Sequence, residues 1–161
     1  MSEENVAVVR GAIDDWNRRD WKSWMAKHDA DMVVVPHRDW PEPEATEGSE
    51  AWFRRVQQML EPWDEQRLEI DDAQVSGDVV VLTFRWVARG RRSQIDVDIP
   101  MAGNYTVTDG KIKHIDFFFD PSEALEAAGL RPALSPDDVE EARRSTGEAI
   151  KLFETGLSAP G

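Results

Sequence analysis

Thr108-Asp109-Gly110-Lys111-Ile112-Lys113-His114-Ile115-Asp116-Phe117-Phe118-Phe119-Asp120-Pro121-Ser122-Glu123-Ala124-Leu125-Glu126-Ala127-Ala128-Gly129-Leu130 holds a turn, a strand and a capped helix in one unbroken run. Asp109-Gly110 signals a tight hairpin, because such turns need residues that tolerate positive φ. Ile115, Phe117 and Phe119 alternate with His114, Asp116 and Phe118, so the strand has one apolar face. Asp120-Pro121-Ser122-Glu123 then starts a helix, with an N-cap, Pro at the first helical position and Glu at the capping-box position. Gly129 ends it.

Working back toward the N-terminus, the same period-2 alternation predicts a meander. Val80, Leu82, Phe84 and Trp86 share one face, and Val81, Thr83, Arg85 and Val87 the other. Ile95, Val97, Ile99 and Met101 alternate with Asp96 and Asp98, with Tyr105 and Val107 further on. Gly77-Asp78 and Gly90 to Ser93 read as turns, and Leu68 and Ile70 belong to an earlier strand. Four long antiparallel strands are expected over about residues 66–119, each with one covered side.

Before residue 62 the period is helical. Val6, Val9, Ile13 and Trp16 form one stripe of a first helix. Asp20 caps a short second helix on which Trp21, Trp24, Met25 and His28 share a face. Asp31 leads into the β-branched run Met32 to Val35, a strand ending at Pro36. His37 to Gly48 reads as a loop. Trp52, Val56, Met59 and Leu60 mark a third helix, stopped by Pro62. After residue 130, a linker leads to a weaker amphipathic helix through Val139, Ala142, Ile150 and Phe153, so two segments are expected: 1–130 and 131–161. Helices first and strands later make an α+β fold: a curved antiparallel sheet packed by three N-terminal helices into a cone.

Composition excludes several classes. The 161 residues carry 19 Lys+Arg against 32 Asp+Glu, a formal charge of −13, and no Cys. Without thiolates there are no disulfides and no cysteine-held metals. The acidic balance argues against nucleic acid and against an anionic membrane as partner. The first residues lack the pattern of a secretory signal, so a cytoplasmic location is expected. No run approaches the roughly 18–20 apolar residues needed to span a bilayer.

Four segments together resemble the SnoaL-like polyketide cyclase branch of the nuclear-transport-factor-2-like superfamily. Trp16-Asn17-Arg18-Arg19-Asp20-Trp21 resembles the branch's aromatic-Asn-x-Gly-Asp-aliphatic helix junction. His28-Asp29-Ala30-Asp31-Met32-Val33-Val34 is like the approach to its first strand. Glu47-Gly48-Ser49-Glu50-Ala51-Trp52 is like the opening of its third helix. The Thr108–Leu130 run is like the branch's ending. The resemblance covers about residues 4–130 and implies a cone with an internal apolar pocket.

The resemblance also implies where chemistry would sit. Isomerase-like relatives place a Tyr on the first helix and an Asp at the end of the first strand; those positions fall here on Ala12 and Pro36. Cyclase- and hydrolase-like relatives place an Asp on the last strand; that position falls on Phe117, with Asp116 one residue away on the opposite face. The hydrolase pattern adds an Arg on a middle strand, and Arg85 has the wrong parity for it.

The candidates that remain are four. His37 beside Asp39 could work as an acid/base pair near neutral pH, or could belong to a solvated loop. His28 is either a histidine at the core's edge or a site residue. Asp116 with His114 reads as an ion pair on the outer face, where a second copy is expected to dock. Trp16, Trp24, Trp52, Phe84, Trp86, Met101, Tyr105 and Phe117 are expected to wall the pocket. A small hydrophobic or aromatic ligand suits such a lining. Two functions follow: a cofactor-independent cyclase, isomerase or hydrolase without metal, or a non-catalytic ligand-binding or dimerisation module.

Overall fold

Hydrogen-bond closure turns these patterns into ten elements in the computed structural model, which describes residues 2–37, 39–40 and 44–130. They are α1 (Ser2–Arg18), α2 (Trp21–Ala26), β1 (His28–Val35), β2 (Thr46–Glu47), α3 (Ser49–Leu60), β3 (Trp63–Ser76), β4 (Val79–Gly90), β5 (Asp96–Thr108), β6 (Lys111–Phe118) and α4 (Pro121–Ala127). The sheet runs β2-β1-β6-β5-β4-β3 and does not close. The long strands pair antiparallel, and β1 joins β6 in parallel. The amphipathic C-terminal helix expected through Val139 and Phe153 lies outside the described residues.

Local chemistry explains the turns. Asp109 at φ 53° and Gly110 at φ 75° form the two positive-φ centre positions of the β5–β6 hairpin, a twist that matches the flanking strands. The Asp120 carboxylate accepts from the Ser122 N–H at 2.9 Å and caps α4, with Pro121 in its first turn. Gly48, at φ 93°, precedes α3; a side chain there would be strained by the backbone alone. The Asp20 carboxylate caps α2 through the Ser23 N–H at 3.2 Å.

Helix α1 is fastened to the sheet by polar contacts as well as by its stripe. The Asn17 side chain takes both backbone groups of Leu68: it accepts from the N–H and donates to the carbonyl, each at 2.8 Å. Buried Asp15 holds Lys27 at 2.5 Å and Arg18 at 2.7 Å, joining α1 to the end of α2. Burial alone would raise the pKa of this carboxyl; the hydrogen bonds from Lys27, Ser23 and Arg18 outweigh it and lower it.

Three readings of the sequence are corrected. His28 is the first residue of β1 and not the last of α2, because the Ile112 N–H captures the Lys27 carbonyl at 2.8 Å and pulls the chain off the helix. The segment from His37 to Gly48 contains a short strand, β2, paired antiparallel to Val33 and Val34. Ile95 lies outside the sheet and is 63% exposed; the turn runs on through Gln94, at φ 58°, so β5 begins at Asp96.

The two faces of the sheet separate cleanly. Val80, Leu82, Phe84, Met101, Tyr105 and Ile115 face the helices and the main core. On the other face α4 covers Val81, Ala102 and Phe118, and the Asn104 amide donates to the Ala124 carbonyl at 3.0 Å. Cross-strand ion pairs carry much of the rest: Arg85 meets Glu69 at 2.7 Å and Asp98 at 2.8 Å.

Candidate functional site

Between the helices and the concave face lies a cavity of about 500 Å3. Each wall follows from a pattern already described. The α1 stripe contributes Ala12, Ile13 and Trp16, and α2 contributes Trp24. Strand β4 contributes Phe84 and Trp86, β5 contributes Ile99, Met101 and Tyr105, and β6 contributes Ile115 and Phe117. Helix α3 adds Trp52, Arg55, Gln58 and Met59. Trp16, Trp24, Trp52, Phe84, Trp86, Met101, Tyr105 and Phe117 stand around this cavity.

The aromatic rings brace one another. Trp16 and Trp24 meet edge to face at 6.3 Å, and Trp52 lies 6.0 Å from Phe117. The Trp16 indole N–H donates to Gln66 Oε1 at 2.7 Å in the buried layer behind the wall. Gln66 Nε2 is buried without a hydrogen-bond partner.

Two titratable groups face this apolar space. His28 Nδ1 lies 2.7 Å from the Trp24 carbonyl. A carbonyl only accepts, so Nδ1 carries the proton and Nε2 presents a lone pair. Nε2 has no hydrogen-bond partner among the described residues. Burial lowers the His28 pKa to about 4, against the raising effect of the Trp24 carbonyl, so the ring is neutral at pH 7. Tyr105 is 4% exposed, and burial pushes its phenol pKa upward. Its hydroxyl stays protonated at any physiological pH and has no partner among the described residues. One cause, desolvation, therefore keeps the imidazole a base and the phenol a donor.

The other candidates lie elsewhere. His37 sits outside the cavity wall, packed on Phe119 at 4.8 Å. Its Nδ1 accepts from the Asp39 N–H at 3.0 Å, and its Nε2 is 3.8 Å from Glu123. Asp116 pairs with His114 at 2.9 Å on the face away from the cavity. Arg85 also faces outward. Ala12, Pro36 and Phe117, the positions to which the related enzymes' catalytic residues map, all line the cavity and carry apolar side chains. Among the described residues no group of three His, Asp or Glu could hold a metal ion, and no helix is long and apolar enough to cross a membrane.

Arg55 and Gln58 escaped the reading of the sequence. The signal was present, since Trp52, Arg55 and Met59 recur at helical spacing, but polar residues inside an apolar stripe look like its edge.

Residues 9–115 match the SnoaL-like domain family. No curated protein matches the sequence at a significant level. Among solved structures, a protein assigned to the SnoaL-like polyketide cyclases from Jannaschia sp. CCS1 is similar at a TM-score of 0.65 and 22% identity, over 81% of this chain and 94% of that one. An NTF2-like protein of unknown function from Burkholderia pseudomallei K96243 is similar at 0.65 and 16% identity, over 76% and 95%. TerC, co-crystallised with polyporic acid, is similar at 0.65 and 16% identity, over 78% and 98%.

Proposed function

We infer the function of a chain that belongs to the SnoaL-like domain family, as the match of residues 9–115 establishes. We propose that its cavity binds a small, largely aromatic ketone and catalyses cofactor-independent proton transfer beside the carbonyl. Cyclase- and isomerase-type reactions share that step. The observation that carries this reading is that His28, a neutral base, and Tyr105, a protonated donor, both line the one apolar cavity. His28 Nε2 takes the proton from the α-carbon. The C–H electron pair moves into the enolate, and the Tyr105 hydroxyl donates a hydrogen bond to the developing oxyanion. A base of pKa about 4 is as weak as a carboxylate, and weak bases suffice for this chemistry: ketosteroid isomerase works with an Asp of pKa roughly 4.6. That TerC was co-crystallised with polyporic acid supports a small organic ligand for this fold.

Deuterium exchange at the α-carbons of 2-tetralone in D2O, followed by NMR, tests the reading. The protein should accelerate exchange. His28→Gln should abolish the acceleration, and Tyr105→Phe should cut it by about tenfold or more. Exchange at the buffer rate, or unchanged by His28→Gln, would count against it. A second reading, ligand binding without catalysis, is favoured by the apolar Ala12, Pro36 and Phe117; tetralone that binds without exchanging selects it.

A further inference from the structure

Although the chain has 32 Asp and Glu, none lines the cavity among the described residues, and the one permanent charge on its wall is the Arg55 guanidinium. Arg55 and Gln58 also line a second hollow, a polar groove of about 330 Å3 walled further by Arg54, Thr46 and Ala51. An apolar cavity and a cationic groove therefore share a border. Helix α3 builds that border: Trp52 turns toward the cavity, Arg55 stands one turn further on, and Arg54 is its neighbour in sequence. The Arg55 Nη1 donates to the Glu44 carbonyl at 3.0 Å and to the Thr46 hydroxyl at 2.6 Å, which holds the guanidinium at the junction. Arg54 is exposed and has no hydrogen bond or ion pair with any described residue. Glu44 is the acid lining the groove among the described residues, against two guanidiniums.

We propose that this aromatic ketone also carries a carboxylate, which makes it an amphipathic acid with its aromatic body in the cavity and its carboxylate in the groove on Arg54, beside Arg55. This rests on the reading of the cavity as a ligand site and names the class of molecule it takes. Planar guanidiniums recognise carboxylates through paired N–H donors. The chain's net negative charge opposes an acid only weakly at this distance, because salt screens exposed charges beyond roughly 8–10 Å.

Calorimetric titration of the full chain with 2-naphthylacetic acid and with 2-naphthylacetamide, its neutral counterpart, tests the proposal. Both should bind, the acid about three- to tenfold more tightly at low salt, with the preference shrinking at high salt. Arg54→Gln should weaken the acid to the amide's affinity, and Arg54→Lys should restore part of the preference. An acid that binds no better than the amide, or a preference that survives Arg54→Gln, overturns the proposal and leaves the cavity reading intact. Failure of both probes to bind overturns the two together.

Discussion

His28 lies with its ring 4.3 Å from the Trp24 indole and gives its Nδ1 proton to the Trp24 carbonyl at 2.7 Å. The contact fixes the tautomer and leaves the base nitrogen pointing away from the one polar partner it has. It also links the site to stability. In the unfolded chain the imidazole takes a proton near pH 6.5; in the fold it does so only near pH 4. Between those values the unfolded state holds the extra proton, so stability falls as pH drops through this window and is fully present above it. Chemical denaturation at pH 7 and pH 4 should show a loss of about 3 kcal/mol from this group. His28→Gln should flatten that part of the profile. A wild-type profile already flat from pH 6.5 to 4 would contradict the burial argument.

Arg19 stands at the Gly position of the helix-junction motif, and its φ is 59°. A side chain in the left-handed region costs about 1–2 kcal/mol, part of which Gly loses again through its unfolded-state freedom. Arg19→Gly should therefore stabilise the fold by about 0.5–1 kcal/mol. Thermal denaturation reads this directly, and a lowered Tm would show that the Arg19 side chain contributes a contact of its own.

The indole N–H of Trp16 and the Gln66 carboxamide form an isolated buried pair. Trp16→Phe removes the donor and leaves the Gln66 carboxamide without a partner among the described residues, at a cost of about 1–3 kcal/mol beyond the smaller ring. Adding Gln66→Leu should recover part of that loss, since replacing both partners by apolar groups is nearly neutral. Additive single-variant effects in the double variant would show that the two groups are not coupled.

The legible parts of the fold were those fixed by neighbours in sequence. Asp109-Gly110 and Asp120-Pro121 declare a turn and a cap because the groups that satisfy the backbone lie within a few residues. Alternation placed Phe84, Trp86 and Phe117 on the inner face for the same reason. What escaped depends on distant partners. The place of His28 is decided by the Ile112 N–H, far along the chain, so an apolar helical stripe ran two residues too far. The burial of Gln66 is set by Trp16, fifty residues away. His37 and Asp39 looked like an acid/base pair because they are near in sequence, yet neither lines the cavity, and His37 packs on Phe119, which does. Tyr105 was legible as a wall residue, but that it lines the same cavity as His28 follows from the side-by-side order of β5, β6 and β1 in the sheet.

The proposed chemistry turns on a neutral His28, buried on the cavity wall, accepting a proton from the ligand. Its sharpest test is the pH dependence of α-carbon exchange in 2-tetralone, measured over the range where circular dichroism shows the native fold. The rate should rise with pH to a half-maximum near pH 4, where the imidazole loses its proton, and then stay level through neutrality while the Tyr105 phenol keeps its own. A half-maximum near pH 6.5, the value of an ordinary exposed histidine, or exchange no faster than in buffer at every pH, would contradict it.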